Sequence, residues 1–168
     1  MKVYKALLIG SVLGTISMPT VMADMYNNVD LGTDNTVVAN TSANVAVGNM
    51  NTTDIWGIAV GSNNTAKLGT IAVGRDNTGD DNQVIIGTNN TATGPRHRQS
   101  SGTGNFVAGD HNVVEGDSSI VIGRYNRAIS EYALEPITVI GNSSTAKSNG
   151  IVIGSASEAD AGNIAIGN

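Results

Sequence analysis

The sequence predicts an all-β protein, a parallel β-roll (β-solenoid) of about ten short coils, and three observations carry that prediction. Ten short apolar runs end in glycine, at Gly32, Gly48, Gly61, Gly74, Gly87, Gly109, Gly123, Gly141, Gly154 and Gly167, and four of them read Ile or Val, Ala, Ile or Val, Gly. Most neighbouring glycines in this series are thirteen residues apart, a period too short for a strand, a helix and their connections, so each unit is one coil stacked on the next. Aromatic residues make up 4% of the chain, with one Trp and one Phe, too few for an ordinary globular core but enough for coils filled by Val, Ile and Ala.

The first element in chain order stands apart from the repeat. Lys2 and Lys5 form a basic start, an apolar run follows, and Val21-Met22-Ala23 has the small residues of a cleavage site, so 1–23 reads as a secretory signal peptide and 24–168 as the exported β-roll. That apolar run is too short to anchor the chain, and no later stretch approaches the roughly twenty apolar residues of a transmembrane helix. Cysteine is absent, so an exported chain of this size relies on repetition and partners rather than disulfides. The net charge is −5 before the two leader lysines are lost, which argues against nucleic acid as a partner.

Within each coil the apolar strand comes first and glycine marks the corner, where positive φ and close approach of neighbouring coils suit a residue without a side chain. Three residues on stand Asn35, Asn51, Asn64, Asn77, Asn90, Asn112 and Asn126, then Ser144 and Ser157. Such side chains bond nearby backbone in turns, and identical amides stack as a ladder. Two residues further come the small Val37, Thr53, Ala66, Gly79, Ala92, Val114, Ala128, Ala146 and Ala159, which suit a tight interior position on a second, shorter strand. At about 4.8 Å per coil, ten coils make a rod roughly 45–50 Å long.

The middle of the apolar strand is occupied by Ala46, Ala59, Ala72, Ile85, Val107, Val121, Val139, Val152 and Ala165, and its flanking residues are apolar as well. Successive residues of a strand face opposite sides, so both faces need cover. One face fills the coil. The other implies several copies packed along a shared axis, with this middle row as the seam of a homotrimer. The alternative is a monomer carrying an exposed stripe of small apolar residues.

The unit Ile58-Ala59-Val60-Gly61-Ser62-Asn63-Asn64-Thr65-Ala66 closely resembles the head repeat of the YadA family of trimeric autotransporter adhesins, found also in haemagglutinin-like surface proteins. The resemblance runs through nearly all of the mature chain. It implies a left-handed roll, three chains side by side, and display on a bacterial cell surface or outer membrane, or release from it, to bind a host extracellular matrix protein or glycan. Members of that family continue into a coiled-coil stalk and a membrane β-barrel, and neither pattern follows the last repeat here.

Three coils are lengthened between the small residue and the next strand, at 93–105, at 129–137 and, by less, before Val45. In solenoids such insertions leave the stack on one side and often bind. The longest carries Arg96, His97 and Arg98, the one dense basic patch and the candidate ligand-binding loop for a sulfated glycan or acidic surface; a merely solvated loop is the plainer account. Tyr132 and Leu134 read as local capping residues beside Pro136, and Trp56 as a residue packed over a corner or a binding anchor.

No catalytic constellation is visible, since His97 and His111 have neither metal-site nor nucleophile–base spacing. No cofactor or metal is expected, and the corner acids, Asp80 and Asp81 among them, lack the Gly-Gly-x-Gly-x-Asp pattern of calcium rolls. The expected function is therefore an adhesin head rather than an enzyme. The alternatives are an ice- or surface-binding solenoid, suggested by the outward rank Thr36, Thr52, Thr65, Thr78 and Thr91, and a structural head without binding activity of its own.

Overall fold

A computed structural model describes residues 20–23, 28–38, 43–94, 104–130 and 135–167, and every regular element in it is a β-strand. The chain alternates between two parallel sheets. Long strands at Val29–Thr33, Val45–Asn49, Ile58–Ser62, Ile71–Arg75, Val84–Thr88, Phe106–Asp110, Ile120–Arg124, Thr138–Asn142, Ile151–Ser155 and Ile164–Gly167 form one sheet in sequence order. Short strands at Thr36–Val37, Thr52–Asp54, Thr65–Lys67, Thr78–Gly79, Thr91–Thr93, Val113–Glu115, Arg127–Ile129, Thr145–Lys147 and Glu158–Ala159 form the other. One long and one short strand make a coil. Among the described residues nine coils are completed, and Ile164–Gly167 begins a tenth without a short strand after it. Thr20–Ala23, the end of the segment read as a signal peptide, pairs antiparallel with the first long strand, Ala23 opposite Val29.

Register is kept without slip. Gly61 lies opposite Gly74, Gly74 opposite Gly87 and Gly87 opposite Gly109, even where the intervening chain is 22 residues instead of thirteen. The reason is steric: Gly61 has φ 123° and Gly74 φ 127°, and a Cβ at either would run into the carbonyl oxygen of the glycine in the next coil. In sequence the extra residues follow the short strands Thr36–Val37, Thr91–Thr93 and Arg127–Ile129, as expected, with one more after Val113–Glu115, and the glycines on either side of each stay paired.

The core is a thin column. The middle residue of each long strand points into it, with Ala46, Ala59, Ala72, Ile85, Val107, Val121, Val139 and Val152 fully buried, facing the small file of the short strands, Thr53, Ala66, Ala92, Val114, Ala128 and Ala146. Ala165, in the terminal coil, packs partly against the same column. This corrects the expectation that Ala46, Ala59, Ala72, Ile85, Val107, Val121, Val139, Val152 and Ala165 form an intersubunit seam, because those side chains are already enclosed by their own coil. Strand alternation turns one parity inward throughout, and that row holds Ala46, Ala59 and Ala72 but Ile85, Val107, Val121, Val139 and Val152 further along, while the flanking residues face out. Size is traded locally within the column: a Cβ on Gly79 would meet Thr70 Cγ2 at 2.5 Å and Ile85 Cδ1, of the one middle-row Ile, at 2.7 Å.

One polar ladder runs along the column from Asn35 to Ser157, and a second runs in two stretches, Asn28 to Gly57 and Thr70 to Ser119. In the predicted one, each buried Asn accepts the main-chain N–H of its counterpart in the following coil: Asn64 N to Asn51 Oδ1, Asn77 N to Asn64 Oδ1 and Asn90 N to Asn77 Oδ1, all 3.1 Å. Its own amide donates to the corner glycine of that next coil, as from Asn77 Nδ2 to Gly87 O at 2.8 Å. Ser144 and Ser157 take over at the end, each hydroxyl donating to a glycine carbonyl, Gly154 O at 3.0 Å and Gly167 O at 2.8 Å. The second ladder, at the opposite corner, is chemically mixed: Asn44 N to Asn28 Oδ1, Gly57 N to Asn44 Oδ1, Gln83 N to Thr70 Oγ1, Asn105 N to Gln83 Oε1 and Ser119 N to Asn105 Oδ1, at 2.8–3.3 Å. Buried corners that the strand ladders leave unpaired are satisfied this way.

Candidate interaction surface

The outer face of the long-strand sheet follows from the packing just described. With the middle residue inside, the first and third residues of each strand stand outside, and they are apolar coil after coil: Ile71 and Val73, Val84 and Ile86, Ile120 and Ile122, Ile151 and Ile153. Strand pairing sets Val60, Val73 and Ile86 in one unbroken file that continues through Ala108, Ile122, Ile140 and Ile153. Val73 is 36% exposed and Ile86 45% exposed, well above what a covered sheet face shows. Neighbouring strands lie about 4.8 Å apart, so the file is a continuous apolar stripe rather than scattered side chains.

The short-strand face has a different character. Thr36, Thr52, Thr65, Thr78 and Thr91 are aligned in register, as expected, but Val113 and Arg127 interrupt the file before Thr145. The parallel file beside it carries Asp54 opposite Lys67, a charged pairing rather than a second threonine rank. Near the end of the stack Lys147 lies 2.7 Å from Asp160 and 3.5 Å from Glu158; the Asp160 hydrogen bond, then its charge, raises the Lys147 pKa.

One exposed cluster escaped sequence reasoning. Asp110, His111, Arg124 and Tyr125 gather at adjacent corners, with His111 Nδ1 2.7 Å and Arg124 Nε 3.2 Å from the two Asp110 carboxylate oxygens. The Arg124 guanidinium sits 4.8 Å from the Tyr125 ring centroid, and the His111 ring is as close to that ring. The signal was present, since His111 and Tyr125 are each two residues after a corner glycine and so stack in register. Trp56 is 60% exposed at its corner with φ 60°, rather than packed over it. Arg96, His97 and Arg98 lie outside the described residues, as do Tyr132 and Leu134.

No helix among the described residues is long and apolar enough to cross a membrane. No family model matches the chain, and no curated protein or solved structure matches it either.

Proposed function

We propose that this chain is the head of an exported bacterial surface adhesin, a homotrimer that binds host matrix protein or glycan through repeated contacts along its length and performs no catalysis. The observation that carries the reading is the outer apolar file from Val60 to Ile153. Parallel sheets are ordinarily covered on both faces, and a stripe this long on a rod favours association with copies whose stripes have the same spacing. The seam of the trimer is then built from Val60, Val73, Ile86, Ile122, Ile140 and Ile153. The resemblance of the repeat to YadA-type heads supports the same assembly and supplies the adhesive role. A threefold rod also multiplies every lateral site, which suits weak binding to a repetitive ligand.

Sedimentation equilibrium of residues 24–168 tests the assembly. A trimer is expected for the native protein, and Val73→Glu with Ile86→Glu should give monomers or unfolded chains, because charges would be driven into an apolar seam. A native chain that stays folded and monomeric at micromolar concentration would refute the trimer. Adhesion is tested separately by binding to immobilised matrix proteins and glycans. An ice-binding reading draws on the registered threonine file, but the single interrupted rank and the adjoining Asp54 and Lys67 leave no flat array.

A further inference from the structure

The base of the longest insertion carries an electrostatic anomaly. Asp81, Gly94 and the turn at Gly116–Asp117 occupy successive coils at the same corner, immediately after the short strands Thr78–Gly79, Thr91–Thr93 and Val113–Glu115. Gly94 has no side chain, and a Cβ there would stand 3.1 Å from Asp81 Oδ2, so the Asp81 carboxylate lies along the space that Gly94 leaves open. From the coil above, Asp117 is 1% exposed, and its Oδ2 is buried without a hydrogen-bond partner. Asp80 Oδ1 is buried and unpartnered too. No ion pair within the described residues reaches any of the three. A buried carboxylate oxygen with neither donor nor counter-charge is costly, and the negative charge of Asp81, two coils away at the same corner, adds to the cost. Burial, and then the neighbouring charge of Asp81, accordingly raise the Asp117 pKa.

We propose that Asp81 and Asp117 bind a divalent cation of the calcium type at the root of the 95–103 insertion. Oxygen ligands on irregular backbone suit calcium, which accepts main-chain carbonyls and water to complete a shell of six to eight. Among the described residues no three His, Cys, Asp or Glu side chains converge on one metal position, so two carboxylates with main-chain and water oxygens make a weak site, with a Kd of about 0.1–1 mM, the range of extracellular modules. The ion would tie three successive coils together where the chain departs for the insertion. This inference is independent of the adhesin reading.

The test uses the full exported chain, freed of metal with a chelator and then titrated with calcium chloride, with magnesium chloride in parallel. Calcium should raise the Tm saturably, with one ion bound per chain by calorimetry, and magnesium should do so less. Asp81→Asn and Asp117→Asn should each abolish the calcium response. Asp117→Asn should also melt higher than the native chain in chelator, because a neutral amide relieves the uncompensated charge; that gain shows that the variant folds. Three results would overturn the proposal: no saturable calcium uptake by the native chain, uptake that survives both substitutions, or stability indifferent to calcium that drops on Arg96→Ala with Arg98→Ala, which would assign the counter-charge to the loop.

Discussion

Single side chains in this rod are repeated as bonding positions, and Asn77 is the clearest case. Its Oδ1 accepts the Asn90 N–H, and its amide donates to Gly87 O in the next coil and to Asn64 Oδ1 in the one before, so truncation leaves buried groups unpaired in two coils. Asn77→Ala should destabilise by about 2–4 kcal/mol, measured by urea unfolding, since each orphaned buried group costs about 1–3 kcal/mol. Asn77→Ser should cost distinctly less, because Ser144 and Ser157 already fill this position with one hydroxyl. Equal losses for the two variants would mean that the ladder's hydrogen bonds do not carry its stability. This ladder was legible because one residue type recurs at one offset from glycine. Its partner at the other corner was not, because Thr70, Gln83, Asn105 and Ser119 share a geometric role without sharing a chemistry.

At the scale of strands and insertions, periodicity located every long strand, and the small file of the short strands proved interior as expected. Facing direction was another matter. When all three apolar positions of a strand are hydrophobic, alternation alone cannot say which parity turns inward; the way the coil closes decides, and that is a property of the whole fold. Ala59→Glu with Ala72→Glu should therefore abolish folding altogether instead of merely dissociating subunits, read as loss of the β circular-dichroism signal at any protein concentration. The 95–103 segment bears on packing differently. Gly87 and Gly109 are paired despite it, so joining Gly94 to Gly104 through a short turn should leave the spectrum and Tm nearly unchanged in chelator. A collapsed Tm would make the insertion part of the core's support.

For the molecule as a whole, repetition distinguishes two modes of attachment. If the rod surface binds, deleting the thirteen residues 62–74 should preserve the fold and lower matrix affinity by a fraction, while Arg96→Ala with Arg98→Ala leaves it intact. If the basic loop binds, those two substitutions should abolish attachment, and native binding should weaken steeply between low and physiological salt, where exposed charges are screened over about 8–10 Å. The same unit-by-unit construction governs how the chain reaches its native state. Among the described residues the strand pairing joins each coil to its immediate neighbour, and along the Asn ladder the main-chain amide of each coil donates to the Asn oxygen of the coil before it. No contact between the first and last coils has to be found. Folding can thus advance as a front, each finished coil templating the next by offering the unpaired main-chain groups of its strand edges to the strand that arrives.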